Sequence, residues 1–576
     1  MECAPSPTPE ADPRERALAR TLGVSDLTAR VLLARGIDDP DAARGILRPD
    51  LGALGDPFEF SQMNRAVERV KTAMRKGERI VIHGDYDVDG ITGTVLLLKF
   101  FSLISADVHP FIPDRKDGYS ITDASVAATL SGGFDLLISV DNGTNAGKAI
   151  DEIQAGGCDV IVTDHHGTSE GVARAHTILN PRLPDAGCVD PDLAGVGVAF
   201  KLATGVAKAL SGNLSQSAEF RDFLMEAMAL VALGTVADVA PLRGENRIMV
   251  HHGLRALAVS TNPGIRALID AADLGDRDPT PEDISFRIAP LINAAGRMGS
   301  ALDAVKLFMA PGFHEAQQAL SVLERYNIER RRVEREVSEA AMAMAMAHAS
   351  DDRVLVLSGD DWHRGVLGIV ASRVAEALNR PALLLSFEGE SGRGSGRSVD
   401  GFDLRDALSQ CSSCLTRYGG HRAAVGLEIQ KDRLHELRER INQAATKVAH
   451  MGKSRELDGE AELREMDSHD VRDLERLGPF GSGNPRPVFL TRDVKIVGNP
   501  TVDYRGRDLS FRVVKDGVLL PAKLHLGARH FEELRNQKDS MTMSYSPRLN
   551  RRAVNGPVHL QVWQMSPLPN EGPTRS

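Results

Sequence analysis

The chain has 576 residues, 42% of them hydrophobic and 26% charged, which is too much apolar material for one core and sets an expectation of about three or four domains. Its net charge of −10 excludes a protein that coats nucleic acid through general positive charge, and polar residues interrupt every apolar run before the ~18 residues needed to cross a bilayer. The five cysteines are scattered, which excludes a disulfide framework and fits a reducing compartment.

The start of the chain, Met1 to Arg16, is rich in Pro and acidic residues and lacks the layout of a signal peptide. It reads as a disordered leader on a cytoplasmic protein. Helical apolar spacing follows at Ala17 to Leu33 and Met63 to Met74. A β-loop-α rhythm then begins. Strands are expected at Arg79 to His83, Phe134 to Val140 and Asp159 to Thr163, with helices at Thr92 to Phe101 and Gly147 to Gly156 between them. That rhythm predicts a parallel sheet covered by helices, whose site lies beyond the carboxyl ends of the strands.

From Phe286 to Ala349 the pattern is helical and laced with both charge signs, as a solvated linking helix is. A second α/β segment follows, with strands at Arg353 to Leu357 and Ala382 to Phe387 and glycine-rich stretches at Gly392 to Gly401 and Gly419-Gly420. Cys411 and Cys414 form a lone C-x-x-C without a second pair, so a buried or incidental pair is expected rather than zinc. From about Leu457 short β-type runs at Val488 to Leu490, Asp493 to Val497, Asp508 to Val514 and His559 to Trp563 predict a small all-β barrel.

The strongest segment is His83-Gly84-Asp85-Tyr86-Asp87-Val88-Asp89-Gly90, where carboxylates at alternate positions follow a strand. Carboxylates this close repel, and divalent cations relieve the repulsion. An acidic turn or a calcium loop is the plain alternative, although the helix-loop-helix frame and closing Glu of such loops are missing. Asp141 and Asp164-His165-His166 sit at the ends of two further strands. Histidine beside carboxylates shifts preference toward Mn²⁺ over Mg²⁺. Asp238 closes Gly234-Thr235-Val236-Ala237-Asp238, and alone would be an ordinary helix-end carboxylate. The segment Ser391 to Arg397 reads S-G-R-G-S-G-R. It is either a flexible loop or a stretch whose small residues admit a phosphate beside Arg393 and Arg397.

These residues resemble the DHH phosphoesterase superfamily and, within it, the RecJ family. The segments at 85–90, 140–143, 163–166 and 234–238 are similar to its four metal-site motifs in order, with Thr144-Asn145 a minor departure. Asn293 to Gly299, Trp362 to Arg373, Ser395 to Ser398, Gly419-Gly420-His421 and Gly478 to Pro485 are similar to later family motifs. The resemblance implies an α/β fold: a parallel-sheet DHH domain joined by a long helix to a second α/β (DHHA1) domain, plus a C-terminal OB-type β-barrel. The implied boundaries are a leader and helical lead-in at 1–45, the DHH domain at 46–290, the connecting segment at 291–349, DHHA1 at 350–452 and the OB-fold at 453–576.

It also implies a single-stranded-DNA-specific exonuclease that runs 5′→3′, releases 5′-mononucleotides and acts in recombination and repair. Two ions, Mn²⁺ or Mg²⁺ with Mn²⁺ favoured, would be held by His83, Asp87 and Asp141 and by Asp89, Asp141, His165 and Asp238, with Asp141 bridging. Asp85 and Asp164 would orient ligands, and His166 would contact the scissile phosphate, its alternative being a packed loop histidine. Arg297 would bind a phosphate near the metals, and Ser395, Arg397 and His421 would hold the 5′ region. In the barrel Arg548, Arg551 and Arg552 lie near Tyr545 as a candidate strand-binding patch, against the alternative of a solvated Arg face. The implied partners are single-stranded DNA, a single-strand-binding protein and a RecQ-type helicase, for a monomer without a membrane. Two rivals stay open at this point. One is a DHH phosphodiesterase for short oligonucleotides or nucleotides, and the other a non-catalytic DNA-binding scaffold of the same ancestry.

Overall fold

The computed structural model describes residues 12–118, 120–168, 171–210, 217–275, 277–348, 352–446, 456–504, 506–525, 527–537, 539–549 and 558–567. The first eleven residues of the leader, and Arg551 and Arg552 of the barrel patch, lie outside them. The described residues fall into two compact units: one within Gly55–Ala240 and His252–Ser454, the other within Met1–Leu54, Pro241–His251 and Arg455–Ser576.

The first unit contains two sheets. Strands β1 (Ile80–Gly84), β2 (Val108–Phe111), β3 (Leu136–Val140), β4 (Asp159–Thr163) and β5 (Thr177–Leu179) form a sheet of order β2-β1-β3-β4-β5, parallel throughout. β1 and β3 are buried at every position, because a parallel sheet is covered on both faces and its strands read as continuous apolar runs. Register then decides where chemistry can gather. Gly84 pairs with Val140, and Val140 with Thr163, so the turns starting at Asp85, Asp141 and Asp164 emerge at one level from neighbouring strands about 4.8 Å apart.

The second sheet has the order β6-β7-β8-β10-β9, from β6 (Leu355–Asp360), β7 (Ala382–Glu388), β8 (Ser391–Arg397), β9 (Arg417–His421) and β10 (Ala424–Gln430). The S-G-R-G-S-G-R segment, open to a loop reading in sequence, is the antiparallel strand β8 at the centre of this sheet. A Cβ on Gly392 would stand 2.4 Å from the Phe387 ring, and one on Gly396 would stand 2.4 Å from Leu383 and 2.7 Å from Val425. Neighbouring β7 and β10 therefore fill the apolar face that β8 leaves bare, while Ser and Arg alternate onto the other face. Cys411 and Cys414 are buried beneath this sheet, the Cys414 thiol donating to the Cys411 carbonyl at 2.9 Å.

The helix Phe313–His348 precedes this sheet and, at 36 residues, extends about 54 Å. The expected solvated character holds for one face only: Arg332 pairs with exposed Glu329 and Glu336. On the opposite face Glu334 is 1% exposed and pairs with Arg330 and Arg373. Charge sequence alone did not separate the two, because a carboxylate flanked by two guanidinium groups is tolerated in a packed face.

In the other unit β12 (Phe489–Val502), β13 (Leu509–Lys515), β14 (Val518–Leu524), β15 (Met541–Leu549) and β16 (Val558–Pro567) close into a barrel through β12–β15, with the short β11 (Gly459–Glu460) alongside β12. The N-terminal helices are not a separate lead-in. Leu18, Leu27, Val31 and Leu32 share one core with Phe489, Phe511 and Tyr545. Arg35 fastens them further, to Asp458 at 2.7 Å, Asn484 at 3.0 Å and the Pro485 carbonyl at 2.8 Å. The G-P-F-G-S-G-N-P segment is thus the socket for a helix more than four hundred residues earlier, as the 449-residue separation of Arg35 and Asn484 shows.

A Cβ on Gly90 would stand 2.5–2.7 Å from three backbone atoms of Asp85, so no side-chain adjustment can relieve it. Gly90→Ala is expected to lower stability by about 1–3 kcal/mol and to weaken Mn²⁺ binding. Thermal unfolding and titration calorimetry check both, and unchanged values would show that the turn can move.

Candidate metal centre

The local sequence explains how the acidic turns are held. Asp87 caps the helix Val88–Leu103, its Oδ1 accepting from the Asp89 and Gly90 amides at 3.0 and 3.2 Å. Asp89, the second residue of that helix, is reached from another helix start: Gly195 and Val196 donate their amides to its two oxygens at 2.7 and 2.9 Å. A helix N-terminus stabilises a carboxylate in this way. Gly234 gives the last approach, since a Cβ there would lie 2.7 Å from Asp89 Oδ1. Asp141 takes a left-handed backbone conformation (φ 62°) directly after β3, which turns it toward the neighbouring strands.

These turns bring the acidic and imidazole groups together. Ligand atoms lie within 4.8 Å of one another in three sets: Asp85, Asp87 and Asp141; Asp89, His165 and Asp238; and Asp141, His165 and His166. His165 Nε2 is 3.0 Å from Asp141 Oδ1, 3.7 Å from Asp238 Oδ2 and 3.8 Å from Asp89 Oδ2. Asp238 caps the helix Ala218–Ala237, the end that brings it in. His83 stands outside these sets: its Nε2 meets Ser125 Oγ at 2.9 Å, its ring stacks on Phe111, and its Nδ1 is buried without a hydrogen bond. Asp164 is fully engaged. Its Oδ1 accepts from the His165 and His166 amides and from His166 Nδ1 (2.8, 3.1 and 2.8 Å), and its Oδ2 from the Thr144 amide at 2.9 Å.

The electrostatics follow from packing like charges in a dry place. Burial, then the neighbouring carboxylates, push Asp85 up to about 8, Asp89 to about 7 and Asp238 to about 8, and raise Asp141 well above the ordinary range. Burial and the adjacent His166 lower His165 to about 3, so its imidazole is neutral with a lone pair to give. At Asp164 burial is outweighed by the hydrogen bond and charge of His166, and the carboxyl stays below its usual range. His166 is raised to about 9, since Asp164 outweighs its burial, and remains a cation at neutral pH. Both His165 ring nitrogens and Asp85 Oδ1 are buried with no hydrogen-bond partner, a costly condition unless something else satisfies them. Hard carboxylate oxygens with imidazole nitrogen suit Mn²⁺ or Mg²⁺, and divalent charge there would relieve the repulsion and give one His165 nitrogen a partner.

A complementary cluster of guanidinium groups lies near the acids. Burial and the charges of Arg115, Arg330 and Arg397 hold Arg297 down to about 9, with Asp87 acting in the opposite sense. Arg297 Nη1 donates to the Gly365 carbonyl at 2.7 Å. Arg397 on β8 is lowered by burial. A Cβ on Gly368 would lie 3.0 Å from its Nη2 and 3.6 Å from Ser395 Oγ, so this glycine keeps the helix Arg364–Leu378 clear of both. His421 on β9 is lowered by burial and by the charges of His166, Arg182 and Arg405, which brings it within electrostatic range of the metal-side histidines. Mutually repelling guanidinium groups favour an anion, as the carboxylates favour cations.

Several participants have no motif in sequence. Arg115 lies over the Tyr86 ring at 4.0 Å and donates to the Gly296 carbonyl at 3.1 Å. Ser125 holds His83, and the amides of Gly195 and Val196 hold Asp89. The Gly195-Val196-Gly197 start of an apolar helix was the available signal for those amides. In the barrel the expected Arg–aromatic patch is altered by burial. The Tyr545 ring is 0% exposed and its hydroxyl meets Thr491 Oγ1 at 3.0 Å, so it fills the core and offers no face to a base.

Comparison with known proteins agrees with this architecture. Family models match for the DHH family N-terminal domain at residues 79–235, the DHHA1 domain at 351–447 and the RecJ OB domain at 457–563. The single-stranded-DNA-specific exonuclease RecJ of Dickeya dadantii is 35% identical over 78% of this chain and 82% of its own length. That of Haemophilus influenzae is 30% identical over 96% and 98%. The Bacillus subtilis relative, 34% identical, is longer, and the chain spans 62% of it. The crystal structure of RecJ in complex with Mn²⁺ from Thermus thermophilus is similar with a TM-score of 0.80 at 29% identity, over 96% of this chain and 78% of that one. A structure of the Thermus protein with Mg²⁺ also matches, with a TM-score of 0.73 at 28% identity, over 96% of this chain and 76% of that one. With its DHH, DHHA1 and RecJ OB domains in that order, the chain belongs to the RecJ family.

Proposed function

We propose that the chain is a metal-dependent exonuclease specific for single-stranded DNA, cutting 5′→3′ and releasing 5′-mononucleotides in recombination and repair. The observation that carries the reading is His165, a neutral imidazole with both ring nitrogens buried and without a hydrogen bond, grouped with Asp89 and Asp238 in one ion-sized set and with Asp141 and His166 in another. The relatives' printed activity supports the substrate, and a barrel of OB type suits a long strand better than a nucleotide.

Asp89, Asp141, His165 and Asp238 would hold one ion and Asp87 and Asp141 the other, with Asp141 common to both. Asp85 and His83 are the remaining candidates at the second position. Asp85 lies in the 4.8 Å set with Asp87 and Asp141, while His83 brings an unbonded Nδ1. Bound divalent ions lower the pKa of water and neutralise charge developing on phosphoryl oxygens. His166 keeps its proton at neutral pH and contributes positive charge to the scissile phosphate, held by Asp164. Arg297 grips a phosphate near the centre, and Ser395, Arg397 and His421 hold the 5′ region of the strand. Recognition through phosphates leaves the base sequence unread. The protein acts as a monomer in the cytoplasm, supplied with strands by a single-strand-binding protein and a RecQ-type helicase. Among the described residues no helix is long and apolar enough to cross a membrane.

Incubation of end-labelled single-stranded DNA with Mn²⁺, Mg²⁺ or chelator is expected to release labelled mononucleotides from the 5′ end only with metal; release from the 3′ end, or cleavage of short oligonucleotides alone, would overturn the assignment. Asp141→Ala should abolish turnover at saturating Mn²⁺ and lower the bound stoichiometry measured by calorimetry. Saturating Mn²⁺ should stabilise the wild type against heat, by about 2.7 kcal/mol at a hundred times Kd for one site, and this gain should shrink in Asp141→Ala. Arg397→Ala should weaken strand binding about tenfold, as loss of a charge-assisted contact does, with Mn²⁺ stoichiometry retained. Lost metal in that variant would mark Arg397 as a structural residue.

A further inference from the structure

The residue after Asp238 is in a conformation its side chain does not favour. The helix Ala218–Ala237 ends with the Asp238 amide bonded to the Gly234 carbonyl, the Val239 amide to Val236 and the Ala240 amide to Thr235. This closure places Val239 in the left-handed region, φ 62°, a position that helices usually give to glycine or asparagine. Among the described residues the other non-glycine positions of positive φ are held by Ser, Asp and Asn. Those side chains are short and polar and tolerate this region, whereas a β-branched one does not.

No packing of the Val239 side chain inside the fold offsets that strain. Val239 is 67% exposed, whereas Ala240 beside it is buried. Its isopropyl group stands in solvent one residue from Asp238, whose carboxylate belongs to the metal-ligand set with Asp89 and His165. Strain kept at a functional site points to use in a bound state. An exposed apolar group next to a phosphodiester-cutting centre has a natural counterpart in the apolar faces of sugar and base.

We propose that Val239 is a substrate-binding residue, its side chain packing against the nucleoside attached to the phosphodiester at the metal centre. This rests on the reading of that centre as a nuclease acting on single-stranded DNA. The contact adds apolar grip where guanidinium groups read only phosphate, and it is indifferent to base identity.

The test pairs two readouts that a merely structural valine would move together. Val239→Gly and Val239→Asn suit the left-handed turn, so each should raise the melting temperature by about 1–3 °C. Each should also raise KM on an unstructured oligothymidylate with Mn²⁺ by about 5- to 10-fold, the loss of one buried aliphatic side chain. Val239→Ile, still apolar and β-branched, should keep KM near the wild-type value and gain nothing in melting temperature. Unchanged KM in the Gly and Asn variants overturns the contact, and a fall in melting temperature in both overturns the strain on which it is argued. Absence of cleavage by the wild type overturns the reading of the centre itself, and the contact with it, whereas wild-type cleavage with unaltered variants overturns the contact alone.

Discussion

Buried carboxylates that repel one another are the constraint on which the rest of the unit containing the centre depends. Asp85, Asp89, Asp141 and Asp238 are brought close in a largely buried place, and each is raised toward protonation by burial and by neighbouring carboxylates, Asp87 in every case. Such a cluster has negative consequences for stability when bare. It persists because the surrounding backbone is over-determined: parallel register sets three turns at one level, two helix starts donate amides into Asp87 and Asp89, and glycines at 90, 195 and 234 stand where any Cβ would collide. The fold supplies rigidity, and the divalent cation supplies the missing charge.

The guanidinium cluster extends the same logic with the sign reversed. Burial and the other guanidinium groups near it lower Arg297 to about 9, so it stays charged at neutral pH, and these groups favour an anion as the acids favour a cation. Asp164 and His166 sit where the two fields meet. The carboxylate gives all its capacity to backbone amides and one imidazole, and the imidazole in turn stays charged. One aspartate thereby holds a histidine cation beside the carboxylate cluster, while the histidine next to it stays neutral. Adjacent residues of one type acquire opposite states because their hydrogen-bond partners differ.

Much of the site was legible in the sequence because its parts lie in local motifs. The strands at β1, β3 and β4 carry apolar runs that end in acids, and a parallel sheet allows its site only at that end. The elements that escaped did so for physical reasons. Strand β8 carries no apolar face, since its neighbours fill the space beside its glycines, and a pattern of hydrophobic alternation cannot register it. Arg115 and Ser125 reach the site from segments without motif, through contacts of long sequence separation. Tyr545, proposed beside arginines as a strand-binding aromatic, is consumed by the barrel core.

By itself the sequence determined the order of the elements and the segments that carry the acidic and imidazole groups of the candidate centre, because periodicity, strand-end acids and the D-H-H triplet are properties of short segments. Only the tertiary structure decided which of those groups share an ion-sized space, that the N-terminal helices complete the core of the barrel unit, and that His83 is turned to Ser125 while Asp85 joins Asp87 and Asp141. Those outcomes depend on register, on burial and on which backbone amides are left to bind a carboxylate. Each is set by residues far apart in the chain.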